Sequence, residues 1–335
     1  MNNPVLVEVT RGALVESRHR GAVAVVDSEG TAVLTVGDVD EPVFPRSAVK
    51  AIQALPLVAS GAADAYGLTD AELALACASH SGEPAHVEAA AAMLAKAGRG
   101  EGTLECGCHW PLDQKVARAL AESGAKPGAL HNNCSGKHAG FVCLACASDV
   151  DPAGYVRPEH AVMETVRAAL EEVTGATHTQ DHRGIDGCSI PTYAIPLPAL
   201  AYGFAKFGSG LHLSEAYSAA AARIRKAVAA NPFMVAGTGR FDTRVMECLG
   251  PRVFLKTGAE GVYCASFPEL GLGVALKCDD GATRASEAMM AAIIRRFLDL
   301  DDKERCLVDA VADATLKNWE GVEVGAVRAV GPLSA

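Results

Sequence analysis

The chain has 335 residues, of which 50% are hydrophobic and 21% charged, enough apolar material for a full core and too little charge for a disordered chain. The net charge is −10, from 30 basic and 40 acidic residues, and no Lys/Arg run is present, which argues against a nucleic-acid partner. No segment reaches 18 uninterrupted apolar residues and Met1-Asn2-Asn3-Pro4 opens no basic-then-apolar leader. The expectation is therefore no membrane span, no export, and eleven cysteines held as reduced thiols in the cytoplasm.

In chain order, Val5 to Val9 alternates weakly and reads as a strand. Ala22–Val26 and Ala32–Val36, joined through Ser28-Glu29-Gly30, read as a β-hairpin. Ser47 opens an apolar segment, Ala48 through Val58, that reads as a helix. Thr69-Asp70-Ala71-Glu72 has the signature of an N-cap. Further helices are predicted over Ala85–Ala97, Leu112–Ser123, Gly136–Ala147, Pro158–Val173 and Ser214–Ala230. Strands return at Arg252–Lys256, Gly261–Ser266 and Gly271–Lys277, followed by an amphipathic helix over Arg284–Leu300. Strands at both ends with helices between predict an α+β (mixed α/β) fold, its antiparallel sheet built from both chain ends. Residues 1–335 then form one catalytic domain of two interleaved subdomains, a sheet region of about 1–45 and 250–335 and a helical region of about 46–249.

Five stretches carry chemistry. Ser47 and Lys50 lie three apart, so a helix projects them from one face, and a partly desolvated lysine can activate a serine hydroxyl. This is the S-x-x-K spacing of serine β-lactamases and penicillin-binding proteins. Lys256-Thr257-Gly258 ends a predicted strand, as K-T-G does on the cleft strand of that fold, and Gly258 would let a substrate approach the backbone. Cys77-Ala78-Ser79-His80-Ser81-Gly82-Glu83 offers a second hydroxyl, Ser79, and a hydrogen-bonding imidazole, His80. His131 to His138 is dense in polar and ligating groups, with Cys134 and Lys137 on one helix face. Asp186-Gly187-Cys188 adds a thiol beside a carboxylate, so two thiols with a nitrogen or carboxylate could form a tetrahedral zinc site. By spacing alone a capped helix and a turn are the better reading, since there is no C-x-x-C pair and a lysine ligand must first lose its proton. Cys106-Gly107-Cys108-His109 is too cramped to wrap one ion and reads as a structural turn.

The sequence resembles the rhizobial-type (class 3) L-asparaginases, the asparaginase II family, over nearly its whole length. The resemblance is carried by Phe44 through Lys50, Cys77 through Glu83, His131 through His138, Gly184 through Pro191 and Lys256 through Gly261. It implies a serine β-lactamase/glutaminase-like fold and hydrolysis of L-asparagine to L-aspartate and ammonia. It also implies two Ser-Lys tandems, Ser47 with Lys50 and Ser79 with Lys256, and a zinc site of Cys134, Lys137 and Cys188 with Asp186 in the surrounding shell or bound through water. Expected substrate contacts are Arg46 and His138 for the α-carboxylate and Glu83 or Glu260 for the ammonium, with His80, Gly258 and Ala259 along the cleft. The zinc is expected to be auxiliary and the assembly a homodimer. The alternatives are a zinc-hydroxide amidohydrolase, a β-lactamase or peptidase-like serine hydrolase, and a non-catalytic amino-acid-binding protein. The absence of an S-D-N triplet weakens the β-lactamase reading.

Overall fold

The structure, a computed structural model, describes residues 3–334. Among the described residues ten strands are present: β1 (Val5–Arg11), β2 (Leu14–Asp27), β3 (Ala32–Val36), β4 (Arg183–Ile185), β5 (Pro191–Tyr193), β6 (Phe254–Thr257), β7 (Val262–Phe267), β8 (Leu272–Cys278), β9 (Thr315–Lys317) and β10 (Glu323–Ala329). The main sheet runs β6-β7-β8-β2-β1-β10-β9, every pairing antiparallel, with β3 added to the second half of β2. The N-terminal strand closes on the C-terminal one, Val7 opposite Ala329 and Val9 opposite Val327. This is the α+β architecture, with its sheet drawn from both chain ends, that the sequence predicts.

Every residue of β7 is buried, and so is Gly21–Val26 of β2. Strands buried on alternate and intervening residues alike require cover on both faces. The helices Leu197–Ser209 and Thr283–Phe297 pack on this sheet. The first lies so close that a Cβ on Gly273 would fall 1.9 Å from the Ala201 carbonyl oxygen and 2.3 Å from the Ala205 amide nitrogen. No side chain fits there, which accounts for a glycine in mid-strand.

The helical region supplies the rest of the site. Thr69 caps Asp70–Ala76 as predicted, its hydroxyl accepting from the Glu72 amide while the Glu72 carboxylate accepts from the Thr69 amide. The segment after Ser47 differs from the expected continuous helix. Arg46–Val49 is a 3-10 turn, followed by the short helices Lys50–Gln53 and Leu55–Ala59. Pro56 is the reason, since it has no amide to donate and its ring crowds the carbonyl four residues back. Among the described residues, no helix is long and apolar enough to cross a membrane.

Candidate active site

Ser47 sits on the 3-10 turn beside the end of β6. Contact is close because residue 258 is glycine: a Cβ there would lie 2.7 Å from the Pro45 carbonyl oxygen and 3.3 Å from Ala48 Cβ. The turn is also strained. Arg46 has φ 51°, and five non-glycine residues among those described occupy this left-handed region, three of them here: Arg46, Ser189 and Glu260. Each such residue costs on the order of 1–3 kcal/mol and persists only where its surroundings hold it. For Arg46 the hold is Asp186, whose Oδ1 accepts from the guanidinium at 2.8 Å.

Two buried lysines converge on one hydroxyl. Lys50 is fully buried and Lys256 is 1% exposed. Lys50 Nζ donates to Ser79 Oγ at 3.0 Å and to the Ala78 carbonyl at 2.5 Å, and lies 3.1 Å from Cys134 Sγ. Lys256 Nζ donates to Ser79 Oγ at 3.0 Å and to the Thr257 carbonyl at 2.9 Å. Ser79 itself is fixed by its amide, which donates to the Val235 carbonyl at 2.9 Å. Burial pulls Lys256 down to about 7, the charges of Lys50 and Arg240 acting the same way and Asp242 against them. Asp242 Oδ1 also accepts from the Thr257 amide at 3.0 Å, which secures the strand end. Ser47 Oγ makes no hydrogen bond to Lys50 or to any other described residue. The i,i+3 spacing thus brings Lys50 to Ser79, and Ser47 stands apart with its hydroxyl free.

Cys134 and Cys188 meet from the helix Ser135–Ala147 and the β4–β5 turn. A hydrogen bond from Cys188 and the charges of Lys50 and Lys137 hold the Cys134 thiol well below its ordinary range against the effect of burial. Cys188 is correspondingly raised. Lys137 Nζ lies 3.1 Å from Cys188 Sγ. Burial opposes its charge, but the two sulfurs and Asp186 outweigh burial and raise it. Two thiols with a carboxylate beside them are zinc-ligating types, and Lys137 would join them only by giving up the proton that its neighbours hold on it.

These groups line a cavity of about 260 Å³ bounded by Arg46, Ser47, Asn132, Asn133, Cys134, Asp186, Gly187, Cys188, Ala259 and His109. Not every expected contact reaches it. Glu83 accepts from the Thr238 amide at 2.8 Å and the Thr238 hydroxyl at 2.7 Å, away from the cavity. His80 is fully buried behind the wall, its Nε2 2.9 Å from Ser135 Oγ and its Nδ1 accepting from the Gly82 amide. His138 is likewise buried, its Nδ1 2.6 Å from the Tyr155 hydroxyl. Burial holds both imidazoles well below their ordinary range, with nearby cations in support, so both are neutral. Glu260 faces a separate cavity on the far side of Arg46. None of these four residues lines this cavity.

His109 corrects the sequence reading in the other direction. It was expected in a structural turn, yet its ring lines the cavity. Its Nδ1 donates to the Trp110 carbonyl at 2.7 Å, and its Nε2 accepts from the Asn133 amide at 2.9 Å. Asn132 ties the same loop down, donating to the carbonyls of Cys106 at 2.9 Å and Gly107 at 3.2 Å. Nothing in the local pattern of residues 106–109 signals this, because the contact is made across the chain. The two asparagines lie inside the His131–His138 stretch and were within reach of that signal.

Residues 7–329 match the family model described as L-asparaginase II. No curated protein matches the sequence. Among solved structures, a β-lactamase from Mycobacterium bovis is similar at 14% identity, covering 87% of this chain and 93% of that one, with a TM-score of 0.39. The protein Mglu is similar at 12% identity, covering 84% of this chain and 69% of that one, with a TM-score of 0.37.

Proposed function

The chain belongs to the L-asparaginase II family and is an amidohydrolase of L-asparagine, and from that premise we propose that Ser47 attacks the side-chain amide while the Lys50–Ser79–Lys256 chain moves its proton. The observation that carries this reading is the free Ser47 hydroxyl on the cavity wall, three residues along the chain from Lys50, which belongs to a hydrogen-bonded line of two amines and one hydroxyl. Neutral Lys256 takes the Ser79 proton, Ser79 takes one from Lys50, and the lone pair so freed on Lys50 takes the Ser47 proton as Ser47 Oγ bonds to the amide carbon, so Lys50 ends with the protons it began with. The same line run in reverse protonates the departing ammonia. Water then cleaves the acyl-enzyme to release L-aspartate. The amides of Ser47 and Ala259, both on the cavity wall, are the proposed donors to the oxyanion. Arg46 is the proposed partner of the substrate carboxylate.

A base that titrates at about 7 gives the reading a pH signature. Lys256 accepts a proton only when neutral, so kcat/KM should rise as pH increases through about 7 and level off above it. Lys256→Arg, which stays protonated, should remove the limb together with the activity. A profile flat from pH 5.5 to 8.5 in the parent takes the base role away from Lys256.

A second reading has Ser79 as the nucleophile. It is favoured by the two amines on that hydroxyl and opposed by its burial, 6% exposed and off the cavity wall.

Cys134, Lys137 and Cys188 would hold a zinc ion, with Asp186 beside it, and a bound zinc would supply fixed positive charge at the cavity wall. In the auxiliary role proposed for it, one zinc accompanies each purified chain, and Cys134→Ala raises KM about tenfold or more while kcat falls less. Elemental analysis with steady-state kinetics checks this. A kcat loss as complete as that of Ser47→Ala would give the attack to metal-bound hydroxide instead.

Residence in the cytoplasm and a homodimeric assembly belong to the same proposal. Eleven free thiols favour the first. Exposed Trp319 and Val322, beside the short outermost strand β9, favour the second.

A further inference from the structure

In the reaction proposed above, most polar groups of L-asparagine have a partner. Arg46 meets the α-carboxylate, the amides of Ser47 and Ala259 meet the side-chain oxygen, and the relay serves the leaving nitrogen. The α-ammonium has none, since neither Glu83 nor Glu260 lines the cavity. An ammonium offers three donors and needs acceptors wherever water is displaced from it.

The side-chain acceptors on the cavity wall are few, and most are engaged. Asn132 Oδ1 accepts from the Cys134 amide at 2.8 Å. Asp186 Oδ1 accepts from Arg46 at 2.8 Å and from the Gly187 amide at 2.7 Å, so this carboxylate is committed to holding the Arg46 turn. His109 Nε2 accepts from the Asn133 amide at 2.9 Å. The Asn133 side chain remains.

His109 decides which end of the Asn133 carboxamide is free. A neutral imidazole has one N–H and one lone pair. Its Nδ1 lies 2.7 Å from the Trp110 carbonyl oxygen, which can only accept, so Nδ1 carries the proton. Its Nε2 then offers the lone pair that the Asn133 amide needs. The opposite tautomer would oppose like groups at both of these short contacts. Asn133 Oδ1 also lies 3.3 Å from Nε2, and with the proton on Nδ1 that contact sets lone pair against lone pair. A half-turn about χ2, a broad two-fold torsion in asparagine, brings the NH2 to Nε2 and carries Oδ1 to where Nδ2 stood. That position has no hydrogen-bond partner among the described residues and is open to solvent. The backbone beneath is fixed on both sides, the amide by His109 and the carbonyl by the His80 amide at 3.2 Å. Asn133 thus presents one free carbonyl oxygen from a rigid stretch of the wall.

On the premise of the reaction above, we propose that Asn133 Oδ1 accepts from the α-ammonium of the substrate and that His109 holds the carboxamide in the orientation this requires. Asn133 then selects an α-amino acid over the same carbon chain without the amine.

The test is calorimetric titration of the purified full-length parent and of Asn133→Leu with L-aspartate and with succinate. Succinate is the same diacid without the ammonium, and neither ligand is turned over. The parent should bind L-aspartate about tenfold or more tighter than succinate, the range of one hydrogen bond to a charged group. Leucine keeps the shape of the side chain and removes its oxygen. In Asn133→Leu the ratio should fall to within about threefold, through lost affinity for aspartate and not for succinate. A parent that binds the two alike, or binds no aspartate, overturns the proposal. So does a variant that keeps the parent's ratio, or one that loses both ligands equally, which is the mark of a displaced loop. If Asn133→Leu fails to fold, by its far-ultraviolet dichroism, Asn133→Ala is measured in its place with the same outcomes. Ammonia release from L-asparagine by the parent is read separately: its absence defeats the proposed reaction, while the ratio of the two diacids still judges Asn133.

Discussion

Ser47→Ala should lose about 10⁴-fold or more in kcat for ammonia release from L-asparagine, because alanine has no oxygen to form the acyl-enzyme. Its stability should match the parent's, since Ser47 Oγ holds no internal hydrogen bond and faces a cavity rather than the core. Ser79→Ala is the companion measurement. It interrupts the relay but leaves the attacking hydroxyl in place, so its loss should be smaller, about 10²–10³-fold. If Ser79→Ala is the dead variant and Ser47→Ala stays within tenfold of the parent, the nucleophile is Ser79. Trapping an acylated serine by mass spectrometry after rapid acid quench would locate the bond directly.

Lys50→Met carries the second large effect. The side-chain stem is kept in volume and the amine is removed. Activity should fall by about 10³-fold or more, because the connection between Ser47 and the downstream base is cut. Stability should fall too, by about 1–3 kcal/mol, because the Ala78 carbonyl and the Cys134 sulfur are left buried without their donor. What activity survives should have a shifted acid limb. The Lys50 charge helps hold Lys256 down, so its removal lets Lys256 rise, and the limb moves to higher pH. Urea titration and a pH–rate profile check both effects. A variant within tenfold of the parent would remove Lys50 from the reaction.

The composition of the sheet was legible from both chain ends, and much of the site was legible from short motifs. Ser47, Lys50, Ser79, Lys256, Cys134, Lys137 and Cys188 do assemble in one region. What spacing could not give was who meets whom. Ser47 and Lys50 share a turn, yet Lys50 reaches Ser79, because the segment at Ala78 and Ser79 crosses just there and takes the amine. The helix Leu197–Ser209 was missed despite Pro198 at its start and Gly210 in a left-handed C-cap. It is apolar on most of its faces, so it carries little of the periodicity by which helices are read. The first half of β2 was missed for the opposite reason. Ser17 and His19 are polar where an apolar alternation would be sought, and His19 is buried against Asp280, its Nδ1 2.6 Å from Oδ2. Strands β9 and β10 fall in the predicted sheet region, but Glu323–Ala329 starts with a glutamate and glycine and gave no clear strand.

The pairing of β1 with β10 has a consequence for synthesis. Val7 cannot meet Ala329 until Ala329 has left the ribosome. At roughly 5–20 residues per second, a nascent chain of this length holds that strand without its partner for about 20–70 s. For most of this interval the meander of β1, β2 and β3 presents two unpaired edges, β1 toward β10 and β2 toward β8, each an opening for the same edge of another nascent chain. The hydrolase should therefore be most prone to aggregate while it is being made, and slower elongation between the codons of β3 and β10 should lower soluble yield without changing the finished enzyme.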